Sequence, residues 1–210
     1  GSSDANVNHT AGYSWCFSCQ TRFDDNVVTI SKQRIKSMTT TGEWGEISER
    51  KISSETAKKF NTRVKRDGNI ITHHLYGYYN NSGEHIGNKV RQTKDKRMWV
   101  EGELSDAVLF GQNIFNQKAR YITICEGEID AMSAYELMGS KWPSVSIKTG
   151  AAGALRDCKE AFDYLDKYDN IIICFDMDKQ GQEAAQKVAQ LFAPNKCKIM
   201  SMEHKDANEY

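Results

Sequence analysis

The sequence predicts an α/β protein: a parallel sheet flanked by helices, preceded by a small mixed α+β subdomain and by an incomplete N-terminal metal-binding ribbon. Three observations predict it. Beyond Arg120, four apolar strand-like segments alternate with three helix-like ones, a pattern that implies parallel strands joined by right-handed crossovers. Residues 70–91, "IITHHLYGYYNNSGEHIGNKVR", are rich in β-branched and aromatic residues and are broken by "NNSG", a hairpin signal. Cys16 and Cys19, set among aromatics, have the spacing of one half of a zinc site.

In chain order, "GYSWCFSCQTRF" followed by the apolar run "VVTI" reads as a small β element. "SKQRIKSMTTTGEW" is polar, basic and without a sustained period, and reads as a linker. "ISSETAKKF" is a short helix that Ser53 caps. After the hairpin come the strand "YITIC", the helix "DAMSAYELM", the strand "SVSI", the helix "ALRDCKEAFDYLDKY", the strand "IIICF", the helix "GQEAAQKVAQLF" and the strand "CKIMS". The expected division is a partial ribbon at 1–30, a linker at 31–45, a basic subdomain at 46–118 and the parallel-sheet domain at 119–210.

The 210 residues are 39% hydrophobic, enough for one compact domain with smaller attachments. The longest unbroken apolar stretch is "IIICF", which is too short to span a bilayer, and no signal-peptide pattern opens the chain. A soluble, cytoplasmic protein without a membrane partner is expected. The zero net charge hides an asymmetry: residues 1–100 carry 16 basic against 10 acidic side chains, and residues 101–210 carry 12 against 18. A basic part that handles polyanions beside an acidic part that gathers cations would produce this split, as would ordinary solvated charge. Cys125, Cys158, Cys174 and Cys197 are scattered through structured segments and read as free core thiols of a reducing compartment. A chain beginning at Gly1 without an initiator Met reads as part of something longer.

The chemistry concentrates in two acidic clusters. Glu126 in "ICEGEID" directly follows a strand, and Asp176 and Asp178 in "FDMDKQG" follow another. In open parallel sheets the working groups sit beyond the carboxyl ends of the strands, so both clusters should share one rim. Two residues apart in an extended segment, Asp176 and Asp178 face the same way. Converging carboxylates repel unless a cation lies between them, and Mg²⁺ is the hard cation suited to phosphate chemistry. Glu128 and Asp130 need no more than the preference of acids for a helix N-terminus. "GNKVRQTKDKRMW" supplies Lys89, Arg91, Lys94, Lys96 and Arg97; Lys89 and Arg91 share one face of a strand, whose plain structural alternative is an exposed basic edge. "SIKTGAAGAL" turns from strand to helix through glycines, so Thr149 and Gly150 can meet an anion or simply make a tight turn. His73 and His74 alternate faces and read as structural, and His85 and His204 take no role.

"CEGEIDAMSA", "IIICFDMDKQGQEAA" and the terminal "KDANEY" resemble the TOPRIM module. With "HHLYGYYNNSGEHIGNKVR", "SDAVLFG" and "GSSDAN...WCFSC", the likeness extends over essentially the whole chain to the primase half of the bifunctional primase-helicases of T-seven-like phages, Twinkle being a more distant relative. The resemblance implies that Glu126, Asp176 and Asp178 are catalytic, and that together with Asp206 they hold Mg²⁺ or Mn²⁺. Glu126 would serve as general base or as a metal-positioning carboxylate. Lys89, Lys96 and Arg91 would bind nucleotide; one extra residue lies between the two lysines, on which the match of Lys96 depends. Cys16 and Cys19 would hold Zn²⁺ with a second Cys pair that relatives carry just before a "GSSD" segment. Tyr13 stands where the phage enzymes have a histidine of template reading, and Tyr13 and Trp15 could stack on bases or pack the ribbon.

The implied activity is RNA primer synthesis from NTPs on single-stranded DNA. Its implied partners are the template, the primer, a downstream helicase domain in a hexameric ring and a replicative DNA polymerase. No Walker-type phosphate loop occurs in these residues. The alternatives are a catalytically silent TOPRIM region that binds DNA or organises a ring, and a TOPRIM nuclease. A type IA topoisomerase would need a larger gated architecture.

Overall fold

A computed structural model describes residues 37–210, together with the backbone of three N-terminal strands. These are β1 (Asn6–His9), β2 (Tyr13–Cys16) and β3 (Thr21–Asp24), antiparallel in that order, with Val7 opposite Trp15 and Ser14 opposite Phe23. Cys16 closes β2. Cys19 and "VVTI" lie outside the described residues, as do the side chains of Tyr13, Trp15 and Cys16. Gly1–Ile35 forms one compact unit and Lys36–Tyr210 a second.

The second unit begins with residues tied to a sheet. The amides of Thr39 and Thr40 each donate to Glu101 Oε2 at 2.9 Å, and Glu43 bridges to Val64. Helix α1 (Ser54–Lys59) starts at Ser53, whose hydroxyl accepts the Thr56 amide at 3.2 Å, the cap expected from the sequence. Strands β4 (Thr62–Asp67), β5 (Ile70–Tyr79), β6 (His85–Gln92) and β7 (Met98–Gly102) form an antiparallel sheet in chain order. The β5–β6 hairpin turns on Asn80, whose Oδ1 accepts the amides of Ser82 and Glu84 at 3.0 Å, and on Gly83 at φ 78°. Because β7 pairs alongside it, β6 is an interior strand, which removes the exposed-edge explanation for Lys89 and Arg91.

From Tyr121 the chain builds the parallel sheet. Its elements are β8 (Tyr121–Cys125), α2 (Glu128–Leu137), β9 (Ser144–Ser146), α3 (Ala154–Glu160), α4 (Phe162–Leu165), β10 (Asn170–Cys174), α5 (Lys179–Ala189) and β11 (Cys197–Ile199). The order is β11-β10-β8-β9 and every pairing is parallel. Ile122, Ile124, Ile171 and Ile173 are completely buried, as expected of strands covered on both faces. The segment read as one helix, 154–168, breaks at Ala161 without a proline. The break lets Phe162 stack on Phe192 at 5.3 Å, while the Tyr164 and Tyr168 hydroxyls reach the Phe115 carbonyl.

A shared core unites the two sheets. Tyr76 and Tyr78 of β5 pack with Phe60, Phe110 and the inner face of α2, through Ile129, Met132 and Tyr135. Helix α2 is thereby fixed against the antiparallel sheet, with its first turn at the cleft they share. Among the described residues, no helix is long and apolar enough to cross a membrane.

Candidate active site

Strands β8 and β10 are neighbours in register, Cys125 opposite Cys174, so the residues that follow them emerge side by side on one rim. Glu126 is the first residue past β8 and Asp176 the second past β10, and both line a cleft of about 500 Å³. Gly127, Glu128, Asp130, Lys148, Thr149 and Gly150 share that wall, and Tyr76, Lys89, Arg91, Met98, Trp99 and Val100 of the antiparallel sheet form the other.

Glu126 is held through one oxygen only. Its Oε1 accepts the Ala151 amide at 3.1 Å, whereas its Oε2 is buried and has no hydrogen-bond partner. The Ala151 amide belongs to the glycine-rich turn after β9, where Gly150 has φ 68°, so that turn serves the protein's own carboxylate. Burial, and then the Asp176 charge, raise the Glu126 carboxyl above its usual range. Asp176 is raised by burial and relieved by Lys205, whose Nζ lies 3.3 Å from its Oδ2. Asp130 is pushed up to about 7 by burial and then by the charges of Asp206 and Asp176.

Asp178 caps α5, its Oδ1 accepting the Gly181 amide at 2.9 Å. Asp206 caps the final turn through the amides of Asn208 and Glu209, and Asn208 ties that turn to Ser133 of α2 and to the Arg50 carbonyl. Among the described residues, no three His, Cys, Asp or Glu side chains stand together at ligand spacing. A divalent cation fits this set: it would supply the missing partner of Glu126 Oε2 and remove the repulsion that raises its neighbours.

The opposite wall is cationic. Lys89 and Arg91 project from β6 into the cleft, and Lys89 Nζ sits 2.5 Å from Glu128 Oε1, which also accepts the Tyr78 hydroxyl at 2.6 Å. Sequence reasoning gave Glu128 and Asp130 no role beyond favouring a helix start. Glu128 is instead a buried acceptor that holds Lys89, and Asp130 belongs to the acid cluster. Their i, i+2, i+4 spacing from Glu126 was the available signal. Lys96 lies in the exposed β6–β7 turn at φ 59°, outside the cleft lining. His74 is buried between Tyr76 and Glu49, and His73 lies edge-on to Trp99; neither lines the cleft.

A Toprim-like family model matches residues 123–210, the part of the chain that carries the acid-bearing ends of the parallel sheet. The chain belongs to the family of bacteriophage primase-helicases, corresponding to their primase portion. It is 30% identical over 224 residues to the DNA helicase/primase of Enterobacteria phage T3, an alignment that takes in all of this chain and 39% of that relative. The crystal structure of the primase fragment of the bacteriophage T7 primase-helicase superposes with a TM-score of 0.76 at 30% identity, covering 100% of this chain and 89% of that one. The primase domains of T7 gp4 in a complex with the T7 lagging-strand DNA polymerase give 0.73 at 32% identity, covering 83% and 90%. The chain thus spans about two fifths of the length of its T3 relative.

Proposed function

We propose that this chain is a DNA primase that joins ribonucleotides into short RNA primers on a single-stranded DNA template, with Mg²⁺ or Mn²⁺. The observation that carries the reading is the buried, unpartnered Glu126 Oε2 beside Asp176, across a cleft from Lys89 and Arg91. Glu126, Asp176, Asp178 and Asp206 would hold the cation, which when bound lowers the pKa of the attacking 3′-hydroxyl and offsets charge at the α-phosphate. Lys89 and Arg91 draw the triphosphate to the wall facing the acids, with Lys96 adding charge from the turn. Glu128 keeps the Lys89 ammonium aimed into the cleft. The new bond joins the 3′-oxygen to the α-phosphorus, and pyrophosphate leaves.

Cys16 and Cys19 would take part in a zinc site of the N-terminal unit, and Tyr13 and Trp15 would take part in reading template bases. T3 supplies a helicase/primase as relative, and the T7 complex pairs primase domains bound to an RNA/DNA hybrid with a DNA polymerase. By that analogy the partners here are template, NTPs, primer, a replicative polymerase, and a helicase region assembling a hexameric ring. The working place is the cytoplasm of an infected cell. Primer synthesis on single-stranded DNA with NTPs and Mg²⁺ tests the reading against Glu126→Gln and Asp176→Asn. Products from the parent chain alone are expected. Equal products from all three overturn the catalytic assignment, and DNA binding by all three without products favours a catalytically silent DNA-binding region.

A further inference from the structure

The register of the antiparallel sheet settles which side chains look into the cleft. Directly paired residues project to the same side, so the rows His74–Arg91–Met98 and Tyr76–Lys89–Val100 lie on one face. Each row runs from a buried residue on β5, through a cation on β6, to an apolar side chain on β7. Met98 and Val100 line the cleft and are 49% and 38% exposed. Trp99 between them also borders the cleft, but its indole is tied to the other face, where Nε1 donates to Glu101 at 3.1 Å and Glu101 receives the Thr39 and Thr40 amides.

Neither Met98 nor Val100 belongs to the two apolar cores. They also stand on the sheet's edge strand, where charged side chains are the usual protection against association. Core packing therefore does not account for them. Their pairing does suggest an occupant. Each cation has an apolar neighbour directly across the strand pair, with Cβ atoms about 4.5–5.5 Å apart, and the acids form the facing wall. A nucleoside triphosphate has the same two halves, a polyanionic chain and a flat heterocycle.

We propose that Met98 and Val100 form the shelf on which the base of the incoming nucleoside triphosphate lies while its phosphates occupy Lys89 and Arg91. The inference rests on the nucleotidyl-transfer reading above and adds where the base goes. A polarizable, adaptable thioether and a branched aliphatic chain offer contact without base-specific hydrogen bonds. The shelf accepts all four bases and leaves the choice among them to the template.

The test uses Met98→Ala, Val100→Ser and the double variant, in which exposed side chains are shortened. ATP and inorganic tripolyphosphate binding are measured by calorimetry in Mg²⁺, with KM and kcat for primer synthesis in parallel. The shelf predicts that ATP affinity falls about five- to tenfold in the double variant, that KM rises to match, and that kcat and tripolyphosphate affinity stay within twofold. Unchanged ATP affinity, or equal losses for ATP and tripolyphosphate, would overturn it. Weakened binding of single-stranded template with unchanged ATP affinity would also overturn it, and would assign the shelf to a template base. A parent chain that binds ATP with the predicted discrimination yet makes no primers would refute the reaction and support the shelf.

Discussion

Replacing Glu128 by Ala should unfold this chain at a markedly lower temperature, and a second substitution should reverse most of the loss. Glu128 and Lys89 expose only 7% and 18% of their side chains, and the same Glu128 oxygen accepts from Tyr78, which is 1% exposed. Removing the carboxylate strands an ammonium and a phenol at the cleft floor. Breaking a buried pair from one side costs about 3–5 kcal/mol, and the orphaned hydroxyl about 1 more. Lys89 can swing partly into cleft water, so a net loss of about 3 kcal/mol is the working figure. For a chain of this length that corresponds to roughly 6–12 °C in Tm. Lys89→Met with Glu128→Leu removes both charges and leaves apolar groups of similar volume, a change often close to neutral. It should recover all but about 1 kcal/mol while abolishing primer synthesis. Thermal and denaturant unfolding of the parent, Glu128→Leu, Lys89→Met and the double variant completes a double-mutant cycle. A loss below about 1 kcal/mol for Glu128→Ala, or single effects that simply add, would refute the argument that the two side chains form one buried unit.

Three further outcomes follow from the same geometry. Because the folded pKa of Asp130 is raised from 3.8 to about 7, its contribution to stability is fully present below pH 3.8 and is lost as pH rises through 7. Metal-free protein in EDTA should therefore be more stable near pH 5.5 than near pH 8, and Asp130→Asn should flatten that part of the slope in urea titrations. Asp178→Asn retains a good N-cap for α5 and should unfold within about 0.5 kcal/mol of the parent while losing activity, whereas Asp178→Ala should lose activity and about 1 kcal/mol as well. Ser53→Ala removes the α1 cap and the hydroxyl's hydrogen bond to Glu136, and should cost about 1–2 kcal/mol in denaturant unfolding with kcat unchanged.

What the sequence disclosed was whatever is local. The strands of the parallel sheet are covered on both faces and so stand out as apolar runs, and their carboxyl ends mark Glu126 and Asp176 by position alone. Ser53 and the Asn80 turn announce themselves through short-range hydrogen bonds. What it hid depends on partners far along the chain. Glu128 looks like any acid in a first helical turn until Tyr78 and Lys89, 50 and 39 residues away, are folded against it. Strand β7 is short, and without it β6 looks like an edge. The break at Ala161 answers to Phe192 and Phe115, which neighbouring residues do not reveal.

Two strand ends gripping one divalent ion together are what the proposed chemistry requires. Titration of Mn²⁺ into the parent chain, Glu126→Gln, Asp176→Asn and the double variant measures this without catalysis. Each single substitution should weaken binding at least tenfold, and the double should be little worse than either, because one site is lost once. Affinities unchanged by either substitution would contradict it.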